Sequence, residues 1–517
     1  MSRVTPYVIG PLRGILHMVV ARWPAQGPGL PSGAESFKKN LDMSAGATLL
    51  HIAPKVSPPL DPDFRPIALA YRRFCEAASG TARSQPMLLA LEQPGGLIFH
   101  HRVRVFPPDD TRSEANILFL ERVVKTLLWS RGGWRLHVNG PKWLVTQLLE
   151  HYRETVEGRF DDETVARRMF DHPLEIVPTD QVPPERTWSV RLGRHWEGCR
   201  IGFDLGGSDR KVAAVVHGQV VFSDETPWDP CTRADPQYHF EGIMDMLQSA
   251  AKRLPRVDAI GGSAAGVYVQ NRVKVASLFR SIPPDVFASR VRDLFYEIQE
   301  AWGGVPLVVM NDGEVAALAG SMMLERSAVL GLAMGTSLAG GWVNPDGNLT
   351  SWINELAFVP VDLQPQAPQD EWSQDRGVGA QYFSQQAVGR LLVPAGIDLP
   401  TDLSLPDKLH QVQALLAEGD PRARQVFETI GVYLGYQLAY LAEFYPVEHV
   451  LLLGRVTSGT SGQVLLEQAR HVLQLEFPTL AARLSLHLPG ERFKRHGQAI
   501  AAASLPEIPP DVHRSVA

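Results

Sequence analysis

RIGFDLGGSDRKVAAVV, residues 200–216, is the stretch that decides the fold of this chain. Apolar and small residues alternate up to Asp204, a pattern that predicts a buried strand with an acid at its end. Gly206 and Gly207 let the backbone turn tightly, and the apolar run at 212–216 predicts a second, returning strand. The stretch therefore predicts a hairpin whose turn lies beside a carboxylate.

The side chains around this turn suit a phosphate chain with its divalent metal. Asp204 offers a carboxylate, Ser208 a hydroxyl and Lys211 a cation, while Gly206 and Gly207 let backbone N–H groups approach a ligand closely. The alternative is an ordinary β-hairpin with a glycine turn. The motifs that follow at intervals along the chain favour the phosphate site.

The length, amino-acid composition and net charge restrict the class of protein to which this chain can belong. The chain has 517 residues, more than one core normally supports, so roughly two to four domains are expected. A hydrophobic content of 44% and a charged content of 21% are ordinary for a soluble globular protein. The net charge of −6 argues against non-specific nucleic-acid binding.

The spacing of the cysteines and the first apolar run indicate the cellular compartment of the protein. Cys75, Cys199 and Cys231 are far apart and lack C-x-x-C spacing, so neither a disulfide framework nor a cysteine zinc site is indicated. A reducing, cytoplasmic location fits best. The apolar run Tyr7–Val20 is too short and too interrupted for a membrane span or a secretory segment, so no membrane partner is expected.

Residues 1–190 predict a separate N-terminal α/β region of unknown role. Strands are expected at Met87–Leu91 and Leu97–Val105, joined by a Gln-Pro-Gly-Gly turn, and a strong helix at Ser113–Trp129. No catalytic motif is visible there. A Pro-rich link at 182–185 predicts a boundary before the quoted stretch. We expect two further units, 200–311 and 312–506, with the last helix packing back on the first of them.

Asp312 is the candidate general base. The near-continuous apolar run Val305–Met310 predicts a central strand buried on both faces, and Asn311-Asp312 follows it where a helix begins. An acid at such a position is well placed to accept a proton. The alternative is that Asp312 caps the helix, and both roles can hold.

A second glycine and hydroxyl turn follows the apolar strand Ala328–Met334. It contains Gly335, Thr336 and Ser337 and leads into another predicted strand. The two turns are about 130 residues apart in the sequence. Each can hold one side of a polyphosphate, and two such turns are far more informative than one.

With these motifs in order, residues 200–506 resemble the actin/hexokinase/Hsp70 superfamily and, within it, the ROK family of sugar kinases and sugar-responsive repressors. Four motifs carry the resemblance: Asp204-Leu-Gly-Gly-Ser208 as first phosphate motif, Asn311-Asp312 as the base motif, Gly335-Thr336-Ser337-Leu-Ala-Gly340-Gly341 as second phosphate motif, and Leu451-Leu-Leu-Gly454 as adenosine motif.

The resemblance implies a two-lobed actin-like ATPase fold, which is ribonuclease H-like, with the additional N-terminal α/β domain. It implies ATP and Mg²⁺ as cofactors and a sugar or sugar-like polyol as substrate, and it suggests a homodimer. Asp312 would take a proton from a sugar hydroxyl, and Asp204 would hold Mg²⁺ through water. Phosphates would bind at the two turns and adenosine near Gly454 and Arg455, while the sugar-contacting candidates are Asn311, Glu355 and Gln381.

The sugar-and-zinc segment of the family is rewritten in this chain. Phe358 replaces a histidine, Ala380 replaces a second sugar-binding glutamate, and Glu371, Ser373 and Val378 stand where cysteines are usual. No zinc is therefore expected, and the sugar itself stays unassigned. For Gln381 the alternative is a solvated loop. Arg455 either stacks on a base or points to solvent.

The alternative function is a non-catalytic sugar or nucleotide sensor on the same fold, which the rewritten segment and the extra N-terminal region favour. A repressor is disfavoured because no DNA-reading helix pair and no basic balance are present, so no nucleic-acid partner is expected.

Overall fold

A computed structural model of this chain describes residues 45–187, 191–489 and 497–509. The first 44 residues of the predicted N-terminal region therefore lie outside the described part. No helix in these three ranges is long and apolar enough to cross a membrane.

The N-terminal part forms an α/β domain around a four-stranded sheet of order β2-β1-β3-β4. Its strands are β1 (Gln85–Gln93), β2 (Leu97–Val105), β3 (Arg135–Asn139) and β4 (Glu175–Pro178). Its helices are α1 (Ala45–Leu50), α2 (Ile67–Ser79), α3 (Ala115–Arg131), α4 (Lys142–Glu154), α5 (Val156–Asp161) and a π-helical turn, Asp162–Met169. The predicted hairpin of β1 and β2 is confirmed, and α3 starts two residues after its predicted start.

The first lobe is built on the sheet that begins with the quoted stretch. Its strands are β5 (Cys199–Leu205), β6 (Asp209–Val216), β7 (Gln219–Pro227), β8 (Ala259–Ala264) and β11 (Leu307–Asn311), with a separate pair β9 (Val267–Val269) and β10 (Arg272–Val275). The sheet order is β11-β8-β5-β6-β7. Strands β5, β8 and β11 are parallel. Strand β6 is antiparallel to β5, and β7 is antiparallel to β6 and so runs in the direction of β5, which is the predicted ribonuclease H-like arrangement. The helices are α6 (Pro236–Ala251), α7 (Pro284–Val286) and α8 (Leu294–Ala301).

One expectation about this sheet is wrong. The strand before Asp312 is not central, because β11 ends the strand order, and it is not buried on both faces, because Val308 and Met310 are half-buried. The chain leaves the sheet here as helix α9 (Asp312–Leu324) and crosses to the second lobe. No strand of the described ranges therefore pairs with the outer edge of β11.

The second lobe repeats the strand order of the first without a counterpart of its outermost strand, β7. Its strands are β12 (Val329–Met334), β13 (Leu338–Val343), β14 (His449–Leu453) and β15 (Ser485–His487), in the order β13-β12-β14-β15. Strand β13 is antiparallel to β12, while β14 and β15 run parallel to it. The helices are α10 (Gln385–Leu391), α11 (Leu405–Ala417), α12 (Pro421–Leu441), α13 (Thr460–Glu476) and α14 (Pro478–Ala481). Two sheets of matching order make the described chain two-lobed.

Two helices pack across the junction of the lobes, and glycines permit the close approach. A Cβ on Gly341 of β13 would lie 2.4 Å from the carbonyl oxygen of Gly313, so only glycine lets α9 pack there. Helix α15 (Gly497–Ala503) packs on the first lobe, where a Cβ on Gly202 of β5 would lie 1.8 Å from the Ala499 oxygen. The lobes are thus joined by close backbone contacts.

The N-terminal domain shares a hydrophobic core with the second lobe, whereas the first lobe has its own. Trp129 of α3 and Tyr440 of α12 belong to the shared core, and Phe203 belongs to the core of the first lobe. Between the N-terminal domain and the first lobe, Lys274 of β10 forms an ion pair with Asp171.

Candidate active site

The strand register brings the predicted acids to one edge of the first sheet. Asp204 pairs with Ser263 of β8, and Ser263 pairs with Met310 of β11. Neighbouring strands lie about 4.8 Å apart, so Asp204 and Met310 are separated by roughly 10 Å across the sheet. Asp312 follows two residues after Met310, at the carboxyl ends of these parallel strands, where ligands bind in open α/β sheets.

Asp204 is a buried carboxyl at the end of β5. Its Oδ1 accepts a hydrogen bond of 2.6 Å from Ser263 Oγ. Burial raises its pKa to about 6, against the opposing effects of the Ser263 bond and the charge of Lys211, and the charge of Asp312 raises it further. Asp204 therefore lies within electrostatic range of Asp312.

Asp312 is the first residue of α9, and its side chain is half-buried. Burial raises the pKa of this carboxyl, while the N–H of Gly313, 3.0 Å from Oδ1, opposes the shift. The helix cap is Asn311, whose Oδ1 accepts from the same N–H at 2.7 Å and whose Nδ2 donates to the Gly266 oxygen at 2.7 Å. The cap role considered for Asp312 thus falls to its neighbour.

Glu355 belongs to the second lobe and lies within electrostatic range of Asp312. Burial raises its pKa to about 7, and the next largest cause is the charge of Asp312. Burial raises the pKa of Tyr268, on β9 of the first lobe, and the charge of Asp312 raises it further. The charge of Asp312 therefore acts on two other carboxyl groups, Asp204 in the first lobe and Glu355 in the second.

The first glycine turn is closed by its own residues. The N–H of Gly206 donates to the Asp209 oxygen at 2.9 Å, and Ser208 Oγ donates to Asp209 Oδ2 at 2.9 Å. Lys211 Nζ pairs with Asp209 Oδ1 at 2.7 Å. Gly207 and Ser208 are exposed, and neither glycine of this turn has a positive φ. These two glycines therefore contribute their small size at an open turn and not a positive φ.

The second turn joins β12 to β13 and lies beside the predicted adenosine motif. The N–H of Gly335 donates to the Ser337 oxygen at 2.9 Å, and Thr336 and Ser337 are exposed. Gly454 has a φ of 93°, and a Cβ there would lie 2.4 Å from the Met334 oxygen, so glycine is required beside this turn.

Two other predicted residues have local partners. Arg455 is exposed, and its backbone oxygen accepts a bond of 2.8 Å from Gln413. Gln381 is buried and donates to Gln386 Oε1 at 2.6 Å. Its amide is therefore used by a residue of the following helix rather than by one of the three carboxyl groups.

The rewritten segment packs on the N-terminal domain. The ring of Phe358 lies 4.2 Å from that of Trp129 and 5.4 Å from that of Phe160. Asp375 forms buried ion pairs with Arg122 at 2.9 Å and Lys125 at 3.3 Å. In the described ranges, no group of three or more His, Cys, Asp or Glu side chains is arranged to hold a metal ion.

Comparison with known proteins gives structural matches only: no family model and no curated protein matches this chain. A ROK hexokinase from Thermus thermophilus is 21% identical over 60% of this chain and 97% of its own, with a TM-score of 0.48. A ROK family glucokinase from Streptomyces griseus, in complex with glucose and AMPPNP, is 20% identical over 60% and 99%, with a TM-score of 0.45.

A ROK family transcriptional regulator, a homologue of the E. coli MLC protein, is 20% identical over 59% of this chain and 78% of its own, with a TM-score of 0.48. Kinases and a regulator are thus both among the similar structures. The strand orders of the two lobes, and not these matches, define the fold.

Sequence reasoning missed several residues of this candidate site. Ser263 binds Asp204, and Asp209 binds both Ser208 and Lys211. Asn354, which precedes Glu355, donates to the buried Glu314 at 3.0 Å. From the sequence, Asp209 could have been found by its position next to the glycine turn, and Asn354 by its position next to Glu355. Ser263 becomes visible only once the strands are paired.

Proposed function

We propose that this chain is an ATP-dependent kinase that phosphorylates a hydroxyl of a sugar or sugar-like polyol. The observation that carries the proposal is the position of Asp204 and Asp312 at the carboxyl edge of the first sheet, with Asp312 in electrostatic range of both Asp204 and, in the second lobe, Glu355. A general base works best when its pKa lies near the operating pH, and burial shifts the pKa of Asp312 in that direction.

The residues present fit a magnesium ion. Asp204 is buried with a raised pKa, and its ionised form is stabilised by a neighbouring cation. Mg²⁺ is usually held by one or two carboxylates, several waters and the substrate's phosphates. Asp204 would hold it through water, and a single carboxylate suffices. Bound Mg-ATP supplies the transferable phosphoryl group and a positive charge beside it.

The chain's own residues then position and deprotonate the acceptor. The Asp312 carboxylate would take the proton of the sugar hydroxyl while the hydroxyl oxygen bonds to the γ-phosphorus of ATP, the bond from that phosphorus to the β–γ bridging oxygen breaks, and ADP leaves. Glu355 and Asn311 bind other hydroxyls, with Gln381 as a further contact. Exposed N–H groups near Gly207 and Thr336 bind phosphate oxygens, and Ser208, Lys211, Gly206, Gly335 and Ser337 line the same turns. Adenosine binds near Gly454 and Arg455. Phosphoryl transfer depends mainly on such positioning and charge neutralisation.

The experiment is turnover with Mg-ATP on a panel of D-glucose, D-mannose, N-acetyl-D-mannosamine, D-glucosamine and myo-inositol. At least one compound is expected to be phosphorylated. Asp312→Asn should lower kcat by about 10²–10⁴-fold, the usual contribution of a general base, while the Kd for ATP stays nearly unchanged. Asp293→Asn, an exposed acid paired with Arg272 in the same lobe, is the matched control and should retain activity.

One outcome would contradict the kinase, and another would contradict the role of Asp312. Tight binding of a panel sugar without turnover would favour the sensor. Full activity in Asp312→Asn would remove that residue from the chemistry.

A further inference from the structure

The backbone that presents Glu355 is held by the N-terminal domain. The N–H of Glu355 donates to the Trp129 oxygen at 2.9 Å, and the N–H of Asn354 donates to the Ser130 oxygen at 3.1 Å. Both oxygens belong to the last turn of α3, where carbonyls have no partner within the helix. The C-terminal end of α3 thus holds the backbone of Asn354 and Glu355 through two hydrogen bonds.

The conformation of that segment needs such support. Asn354 has a φ of 50°, in the left-handed region that asparagine tolerates better than most residues. Its backbone oxygen lies against Gly340, where a Cβ would approach to 2.5 Å. Gly340 in turn packs on Gly313, next to Asp312. A shift of Asn354 is therefore transmitted directly to both Glu355 and the start of α9.

A buried network of side-chain hydrogen bonds holds the side chain of Asn354. The hydroxyl of Tyr445 donates to Asn354 Oδ1 at 2.8 Å, and Asn354 Nδ2 donates to Glu314 Oε1 at 3.0 Å. Arg131, the last residue of α3, is 0% exposed. Its guanidinium lies 3.6 Å from the ring centroid of Trp352 and 4.4 Å from that of Tyr445, so it fixes the tyrosine ring that orients Asn354.

We infer that the N-terminal domain is a structural part of the sugar site: the last turn of α3, with Arg131 and Tyr445, positions Asn354 and Glu355 for substrate binding. This inference rests on the proposed function, because it assigns a purpose to the geometry of Glu355. Tyr445 and Arg131 are positioning residues and contact no substrate.

The test compares two buried tyrosines of the second lobe. Tyr445→Phe removes the bond to Asn354, whereas Tyr440→Phe removes a bond of 2.7 Å to Thr126 in the middle of α3. In the full-length chain, Tyr445→Phe should raise KM for the phosphorylated panel sugar roughly tenfold, the effect of one lost hydrogen bond. KM for Mg-ATP should stay within about twofold. Tyr440→Phe should lose similar thermal stability with neither KM changed.

Amide hydrogen exchange across residues 353–357 provides a readout that needs no substrate. Exchange should be at least about fivefold faster in Tyr445→Phe than in the wild type, and unchanged in Tyr440→Phe. Equal KM values and equal exchange in the two variants would overturn the inference while leaving the kinase intact. Absence of turnover on every panel compound in the wild type would instead overturn the proposed function, and unchanged exchange in Tyr445→Phe would then overturn the positioning role as well.

Discussion

At the scale of single residues, the candidate site contains carboxyl groups whose ionised forms are destabilised by burial in the folded protein. Asp204 and Glu355 have pKa values raised to about 6 and about 7, in each case mainly because they are buried. Removal of such a charge from water costs free energy unless a partner compensates for it. These groups thus lower the stability of the protein at neutral pH, as expected for residues kept for binding or catalysis.

Glu355→Gln is expected to stabilise the protein in a pH-dependent manner. The folded pKa is raised above the ordinary 4.5, so between these two pKa values the folded state holds more protons than the unfolded state. The stability of the wild type therefore falls as pH rises through that window, by at most about 3 kcal/mol from this group. Urea denaturation should show the variant more stable at pH 8 and the difference largely gone at pH 5. An equal difference at both pH values would contradict the raised pKa.

The acids themselves were predictable from the sequence, and their partners were not. Asp204 and Asp312 stand at strand ends next to glycine or helix signals, which local pattern reveals. Ser263 meets Asp204 only because β8 pairs with β5 in one particular register. Asn311 and Asp312 compete for the same N–H, and only geometry decides that Asn311 is the cap.

At the scale of secondary structure elements, glycines set the distance between layers. Helix α15 packs so closely on the first sheet that Gly202 and Gly261 face its backbone oxygens, at 1.8 Å and 1.7 Å from a hypothetical Cβ. The same helix reaches the site, since Gln498 Nε2 donates to the Asp312 oxygen at 3.1 Å. The spacing of helix and sheet thus affects the backbone of the proposed base.

Gly202→Ala is expected to destabilise the chain by about 1–3 kcal/mol or more, because the added methyl group must push α15 away from β5. Gly80→Ala is the control: its φ is −76° and a Cβ there meets its nearest atom at 3.4 Å, an ordinary contact. Urea denaturation of both variants measures the difference. A Gly202→Ala protein as stable as Gly80→Ala would mean that α15 does not pack as described.

At the scale of the whole molecule, a buried ionic cluster joins the N-terminal domain to the second lobe. Although burial opposes ionisation, the charges of Arg122 and Lys125 hold the pKa of Asp375 well below its usual range. Lys125 also binds Asp161 at 2.7 Å. Loss of one partner from such a cluster leaves the others buried without compensation.

Asp375→Asn is therefore expected to cost about 3–5 kcal/mol of unfolding free energy at pH 7. Asp109→Asn removes an exposed ion pair with Arg83 and should change stability by less than about 1 kcal/mol. Because the pKa of Asp375 is lowered, its contribution persists in mild acid and is lost only as pH falls through the folded pKa. Equal unfolding free energies for the two variants would show that the cluster does not join the domains.

The positions of strands in the sequence could be predicted better than the contacts between domains. The alternating and apolar runs revealed most strands of the three sheets, because burial imposes those patterns locally. The contact between Arg122 and Asp375 spans 253 residues, and neither residue's local sequence specifies it. The edge position of β11 was likewise hidden, since an apolar run does not reveal whether a strand has one neighbour or two.

The shared core also limits how this molecule can open. The N-terminal domain and the second lobe pack on one hydrophobic core, whereas the first lobe has its own, so a relative displacement of the two lobes would leave that shared core intact. The Lys274–Asp171 ion pair bridges the first lobe and the N-terminal domain, so any separation of the first lobe from that domain has to break it.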